Sequence, residues 1–175
     1  MCIRDSVKDL AATSITLSKT TFPAGAHVLK VTASIKNVGN SNFNAGKYIR
    51  ARFVLLYRWL ETPPCYIDLG VLKDEWVLGP TLNVGQTQTI NVDLYKEWLP
   101  NSQYNNYPFV IRFEHNASDA EEWSYTDDDE NPGNNQIESE PFWVTDATPT
   151  PTRPPLGLVI ELDDKIWYFT RTGIY

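Results

Sequence analysis

Residues 26–38 read AHVLKVTASIKNV, and apolar side chains occupy every second position through most of this segment. Those apolar residues are Leu29, Val31, Ala33 and Ile35, with lysine, threonine and serine around them. Successive side chains of a β-strand point to opposite faces of the sheet, so a period of two indicates one buried face. The segment therefore predicts a half-buried strand.

Six further segments show the same alternation or a shorter version of it. They are residues 10–18, 49–59, 65–72, 90–94, 109–114 and 137–144. Segments rich in Gly, Pro and Asn, which can reverse the chain, lie between most of them. About seven strands without an amphipathic helix predict an all-β fold, an immunoglobulin-like antiparallel β-sandwich. We expect one core that contains Leu29, Val31, Ile35, Phe53, Leu55, Ile90, Val92, Ile111 and Phe113.

Composition excludes several classes of protein. The 175 residues, 42% of them hydrophobic, suit one domain of ordinary size with a tail. No run of about 18 apolar residues is present, so the sequence predicts no membrane insertion. The formal charge of −7 argues against a nucleic-acid partner, because phosphate binding needs clustered Lys and Arg. Only Cys2 and Cys65 are present, which excludes a disulfide scaffold and an all-cysteine metal site.

The first six residues, MCIRDS, look like translated sequencing-adapter read-through of the kind found at the ends of environmental assemblies. On this interpretation Cys2 is foreign to the natural protein, and Cys65 is a lone thiol in the core or at its rim. No signal-peptide pattern is visible, and a truncated fragment would lack one in any case.

Acidic residues are concentrated between positions 116 and 140, where nine acids and no Lys or Arg give a charge of −9. Asp127, Asp129, Asn131 and Glu138 stand at positions 1, 3, 5 and 12 of an EF-hand-type spacing, which predicts a Ca²⁺ site. Pro132 occupies the position where that turn needs glycine, and no flanking helices are predicted. The alternative is a self-repelling acidic loop with Asn-rich turns. We expect this loop at the end of the sandwich where a neighbouring module docks.

Aromatic residues are frequent in the predicted loops. Tyr104 and Tyr107 flank two asparagines, while Trp123 and Tyr125 follow two glutamates. Exposed rings beside Asn and acids would stack on sugars, so these four residues are candidate glycan ligands. The alternative is that they pack into the core or anchor their loops.

Residues 146–155, DATPTPTRPP, interrupt the strand pattern with recurrent proline. Such a segment is extended and semi-rigid, as a linker is. Two short strands follow, and a hairpin is marginally stable alone. We therefore predict a sandwich domain at 7–145, a linker at 146–157, and the truncated start of a further module at 158–175. The alternative for 158–175 is a C-terminal hairpin that packs on the sandwich.

Five short motifs in order along the chain resemble those of a CARDB domain, the cell-adhesion-related domain of bacterial surface proteins. They are Asp9-Leu10, Pro23-Ala24-Gly25, Lys36-Asn37-Val38-Gly39-Asn40, Val84-Gly85-Gln86, and Asp129-x-Asn131-x-x-Asn134-Asn135. The resemblance spans roughly residues 7–144. Residues 60–83 and 116–130 depart from it by being longer, and respectively more aromatic and more acidic.

The resemblance implies an immunoglobulin-like sandwich used as a non-catalytic module in secreted or surface-anchored proteins. The residues themselves offer little chemistry, since His27 and His115 are the only histidines. His115, with Glu114 and Asp119 nearby in sequence, is interpreted as a solvated turn residue and not as a catalytic base. We predict an extracellular spacer or interaction module without catalytic residues, with neighbouring modules, a surface protein or a glycan as partners. The alternative is a glycan-binding module, and an enzyme is a distant third.

Overall fold

The computed structural model describes residues 9–43, 48–59, 65–78, 81–115 and 131–147, and the backbone of 158–162, 165–170 and 173–174. Between Leu10 and Thr145 the described residues form nine strands and two short 3-10 helices, Asn101–Tyr104 and Pro132–Asn134. The strands are β1 (Leu10–Leu17), β2 (Thr21–Pro23), β3 (Gly25–Asn37), β4 (Tyr48–Trp59), β5 (Cys65–Leu78), β6 (Thr87–Trp98), β7 (Phe109–His115), β8 (Gln136–Glu138) and β9 (Trp143–Thr145).

Two antiparallel sheets form the body of the fold. One has the strand order β1-β3-β6, and the other has the order β5-β4-β7-β8. A short parallel pair, β2 and β9, lies beside them, with Phe22 opposite Val144. The predicted immunoglobulin-like β-sandwich is confirmed. Among the described residues, no helix is long and apolar enough to cross a membrane.

A single core joins the inner faces of the two sheets. All nine predicted core residues are buried in it, Phe53, Phe113, Ile35 and Ile111 with no measurable exposure. Val31 lies opposite Val92 in the first sheet, and Phe53 lies opposite Phe113 in the second. The rings of Phe53 and Phe113 are 5.2 Å apart. The period of two therefore identified the buried face of β3, β4, β6 and β7 correctly.

The opposite face of β4 carries a second, smaller apolar cluster. Val54, Leu56 and Val110 are buried there, with Tyr66 packed against them. The register between β4 and β5 shifts at Phe53/Val54 and again at Leu55/Leu56. In the middle of β4 the side chains on both faces are therefore buried, so the strand does not alternate strictly between buried and exposed residues.

The single strand predicted at 137–144 is wrong. Residues 136–138 pair with β7, whereas residues 143–145 pair with β2. Ser139 makes the change of sheet: its backbone N–H donates to the carbonyl of Ile111 at 2.9 Å, and its hydroxyl accepts the N–H of Ile111 at 3.0 Å. Pro141, which has no N–H to donate to a neighbouring strand, lies between Ser139 and β9.

Strand β5 is longer than the predicted 65–72, since it continues to Leu78 as an edge strand. Arg50 on β4 forms a two-point ion pair with Asp74 at 2.8 and 2.6 Å. This bond to Arg50 lowers the pKa of the Asp74 carboxyl. Cys65 is exposed at the start of the same edge strand, so it lies at the rim and not in the core.

Three strands follow the predicted linker: β10 (Leu158–Leu162), β11 (Lys165–Thr170) and β12 (Gly173–Ile174). They pair with one another, in the order β10-β11-β12. Ile160 lies opposite Trp167 in the antiparallel register. The two strands predicted for this segment are present in its described backbone, and β12 is a third that was not predicted.

Candidate functional site

Residues of four of the five motifs of the CARDB resemblance meet at one end of the sandwich, whereas Pro23-Ala24-Gly25 lies at the other end, where Gly25 pairs with Trp98. The backbone carbonyl of Asp9 accepts the N–H groups of Val38 and Gly39 at 2.9 and 3.2 Å. The Asp9 carboxylate accepts a hydrogen bond from the side-chain amide of Asn134 at 2.8 Å. We call this the motif end, defined by Asp9, residues 36–40, residues 84–86, Asn134 and Asn135.

Asn37 holds the loops of the motif end together. Its buried side-chain amide donates to the carbonyls of Ser41 and Leu82, both at 2.9 Å, and its side-chain oxygen accepts the N–H of Gly39. Its backbone carbonyl accepts the N–H of Gly85 at 2.8 Å. Gly85 has a φ of +81°, a conformation that glycine adopts without the steric cost of a side chain. The motif residues at this point therefore stabilise the fold.

His115 corrects one sequence interpretation. It was interpreted as a solvated turn residue, but it is fully buried at the end of β7. Its ring lies 6.3 Å from that of Phe113. Burial lowers the pKa of His115 to about 4, although the Leu10 backbone and the Asp9 carboxylate act in the opposite direction. The imidazole is therefore neutral at neutral pH.

Polar atoms without hydrogen-bond partners cluster around His115. Neither ring nitrogen is at hydrogen-bonding geometry with any described atom, the nearby Leu10 backbone included. The side-chain oxygens of Asn134 and Asn135 are also buried without a described partner. The N–H of His115 donates to the carbonyl of Asn135 at 3.0 Å. Sequence analysis missed this cluster, because its members are far apart in the chain.

Of the predicted Ca²⁺ ligands, Asp127 and Asp129 lie outside the described residues. Asn131 is exposed beside the second 3-10 helix. The carboxylate of Glu138 binds the guanidinium of Arg112 at 3.0 Å. A calcium ion at Glu138 would therefore have to displace an arginine. The pKa of the nearby Tyr66 is raised, first by burial and then by the Glu138 carboxylate.

Within the described residues, no group of three or more His, Cys, Asp or Glu side chains is placed to hold a metal ion. The predicted calcium site rests in part on acids beyond those residues, so it stays a prediction. What the described part does fix is the position of the residues on either side of the acidic segment in sequence, His115 and Asn131, which both lie at the motif end.

Of the predicted glycan ligands, Trp123 and Tyr125 also lie outside the described residues. Tyr104 and Tyr107 are half-buried and pack on the ring of Tyr57, with centroid distances of 5.6 and 5.5 Å. Tyr104 also meets Phe109 edge-on at 5.2 Å. These two tyrosines thus anchor their loop on the core, which was the alternative interpretation of them.

A cluster of aromatic rings closes the opposite end of the sandwich. Phe22, Trp98 and Phe142 meet at centroid distances of 5.4 to 6.0 Å. Asp146 lies at this end, where Ser102 donates a hydrogen bond to its carboxylate at 2.7 Å. We call this the aromatic end, defined by Phe22, Trp98, Phe142 and the first 3-10 helix.

The two ends are separated by the length of β3. This strand pairs with Trp98 at Gly25 and reaches the motif end at Asn37. Its 13 residues span about 40 Å at 3.3 Å per residue. Asp9 therefore lies at one end of the sandwich and Asp146 at the other.

The fold and this arrangement define an immunoglobulin-like β-sandwich module. No protein-family model matches the chain, and a search of curated proteins found no match. Among solved structures, it is similar to the CARDB domain of a Pyrococcus furiosus protein in complex with di-metal ions. The TM-score is 0.50 at 11% identity, over 83% of this chain and 98% of that one. The CARDB resemblance is therefore confirmed at the level of the fold.

Two larger proteins contain parts similar to this chain. One is the sporulation control protein Spo0M of Bacillus subtilis, with a TM-score of 0.39 and 10% identity over 81% of this chain and 50% of that one. The other is a beta-glucosidase of Listeria innocua, with a TM-score of 0.34 and 16% identity over 80% of this chain and 17% of that one. Neither likeness bears on activity.

Proposed function

We propose that the chain is a non-catalytic spacer or interaction module of a larger bacterial protein, secreted or displayed at the cell surface. The observation that supports this proposal is the position of the first and last parts of the sandwich domain. Asp9 and Asp146 lie at opposite ends of a sandwich about 40 Å long. Segments joined before and after such a domain are held apart by its full length.

The motif residues support a structural role. Asp9 and Asn37 form hydrogen bonds that join the start of β1, the end of β3 and the second 3-10 helix. Catalytic groups need free, converging functional atoms around a place for substrate. The side-chain amide of Asn37 is already used by the fold and does not offer that, which supports a structural role for this motif.

The domain limits of the proposal are residues 7–145 for the sandwich, 146–157 for a Pro/Thr linker, and 158–175 for part of a further module. Two observations support the last division. Strands β10 to β12 pair among themselves, and the sandwich sheets end with β9. A proline-rich linker keeps neighbouring modules apart as a semi-rigid spacer. Neighbouring modules are thus the first partners that we propose.

The extracellular location and a bound Ca²⁺ ion belong to the same proposal. The CARDB-like fold and the Pro/Thr linker support the location. The EF-hand-type spacing supports calcium, as does the complex of the Pyrococcus domain with di-metal ions. Binding of Ca²⁺ would relieve the mutual repulsion of Asp127, Asp128 and Asp129.

The alternative, glycan binding, now depends mainly on Trp123 and Tyr125, because Tyr104 and Tyr107 pack on the core. A glycan array with the purified chain, and a panel of ester, peptide and glycoside substrates, tests both alternatives together. We expect neither saturable glycan binding nor turnover. Hydrolysis that one point substitution abolishes would refute the non-catalytic proposal, and glycan binding lost in Trp123→Ala would establish the alternative.

A further inference from the structure

The cluster around His115 contains more unsatisfied polar atoms than a folded interior normally keeps. Two imidazole nitrogens and two amide oxygens, from His115, Asn134 and Asn135, are buried without a described partner. Nearly all buried polar atoms in proteins are paired, so each exception calls for an explanation, such as an ordered water or an ion. Four of them at one end of a domain indicate a place that something polar occupies.

The members of the cluster lie side by side. The N–H of His115 donates to the carbonyl of Asn135 at 3.0 Å, which continues the antiparallel pairing of β7 and β8. Directly paired residues of antiparallel strands project to the same face, so the Asn135 side chain lies on the inner face with His115. Asn134 comes next in sequence and binds the Asp9 carboxylate at 2.8 Å. The charge of that carboxylate acts on the imidazole.

The four side chains together offer one imidazole, one carboxylate and two amide oxygens. Imidazole nitrogen is a ligand for Zn²⁺ and related ions, and carboxylate and amide oxygens complete mixed coordination shells. We propose that Asp9, His115, Asn134 and Asn135 form a binding site for a divalent transition cation such as Zn²⁺, with His115 as its nitrogen ligand. Only two of these four residues, Asp9 and His115, are His, Cys, Asp or Glu. The site is therefore compatible with the absence, among the described residues, of a group of three or more such side chains.

Four properties of His115 and its surroundings favour such a site. The imidazole is neutral at pH 7, which is the form that binds metals. The Leu10 backbone lies beside the ring and would accept its second N–H, as the outer partners of metal-bound histidines do. Asp9, Asn134 and Asn135 are half-buried whereas His115 is fully buried, so three of the four residues reach solvent with part of their surface. Seven acids follow within residues 116–130, and their charge raises the local cation concentration.

The test uses the full chain with Cys2 and Cys65 replaced by serine, which removes both thiols. Co²⁺ is titrated by calorimetry at pH 7 in millimolar Ca²⁺, which fills sites for hard cations in the acidic segment. We expect one Co²⁺ per chain, with its binding lost in His115→Gln. Asp9→Asn, which keeps an acceptor for Asn134, should weaken binding at least tenfold. The matched control is His27→Gln, which alters the only other histidine and should leave the affinity unchanged.

Proton NMR of the two histidine rings gives a readout independent of affinity. Bound Co²⁺ should broaden the ring signals of His115 and leave those of His27 sharp. If His115→Gln fails to fold, the Asp9→Asn titration and these ring signals decide the question. No binding by the folded parent chain, binding that survives His115→Gln, or sharp His115 signals in the presence of bound ion would each overturn the proposal.

Discussion

The side-chain amide of Asn134 donates a hydrogen bond to the carboxylate of Asp9 across 125 positions of sequence, at 2.8 Å. This bond joins the start of β1 to the second 3-10 helix, which leads into β8. It also explains why two weak motifs occur together, since an Asp-Leu start and a later Asn-Asn pair are the two halves of one contact. The motif end is therefore stabilised by contacts between short motifs that lie far apart in the sequence.

Removing this bond should lower the stability of the domain. We expect Asp9→Ala or Asn134→Ala to cost about 1.5–3 kcal/mol, the usual range for a hydrogen bond to a charged group. Urea denaturation with chelator present measures it. In a double-mutant cycle the two losses should be less than additive by at least about 0.5 kcal/mol. Fully additive losses would mean that the two side chains do not interact.

Asn37 should be more sensitive than any exposed asparagine. Its side chain makes three hydrogen bonds, to Gly39, Ser41 and Leu82. At about 0.5–1.5 kcal/mol each, Asn37→Ala should cost about 2–4 kcal/mol. Asn91→Ala, which removes one exposed bond to Thr32, is the matched control and should cost less than about 1 kcal/mol. Equal losses in the two variants would contradict the role given to Asn37.

The core should respond to truncation at its centre. Phe53 is fully buried against Phe113. Phe53→Ala should therefore cost about 3–5 kcal/mol, from lost transfer free energy and the cavity left behind. Val84→Ala, at a position that is 51% exposed, should change the free energy of unfolding by less than about 0.5 kcal/mol. A small loss in Phe53→Ala would place that ring outside the core.

His115 should make stability depend on pH. Its pKa is 6.5 when unfolded and about 4 in the native fold. Between pH 4 and pH 6.5 the unfolded chain binds a proton at His115 that the native state does not bind. The contribution of neutral His115 to the free energy of unfolding is therefore complete above pH 6.5 and is lost as the pH falls towards 4. The loss amounts to about 3 kcal/mol.

The comparison that isolates this effect is the difference in stability between the parent chain and His115→Gln, measured in chelator from pH 7 to 4.5. That difference should shrink as the pH falls. A His115→Gln difference that does not change with pH would mean that His115 titrates normally and is exposed to solvent.

Calcium should raise the midpoint of thermal unfolding, if the EF-hand-type spacing holds an ion. At one hundred times the dissociation constant the gain is about 2.7 kcal/mol. The measurement compares millimolar Ca²⁺ with chelator at fixed ionic strength. We expect the gain to disappear in Asp129→Ala. An equal shift with monovalent salt would show only screening of an acidic surface.

Sequence alone predicted those parts of the fold that depend on local pattern. The alternation through Val31 and Phe53 identified strands and their buried faces, because period and burial are linked within one segment. The strand predicted at 137–144 was wrong, because Ser139 exchanges bonds with Ile111 on another strand. His115 was misinterpreted for a similar reason. Its burial follows from contact with residues that lie far away in sequence.

If the sandwich is a spacer, it should hold its two flanking segments about 40 Å apart. The direct test is electron–electron resonance between spin labels at Val38→Cys and Ala147→Cys, with Cys2 and Cys65 replaced by serine. Val38 is exposed, and its N–H donates a hydrogen bond to the carbonyl of Asp9. Ala147, the residue after Asp146, is also exposed. We predict one narrow distance distribution centred at about 40 Å. A broad distribution, or one centred below about 25 Å, would contradict a spacer whose two flanking segments are attached at opposite ends of the sandwich.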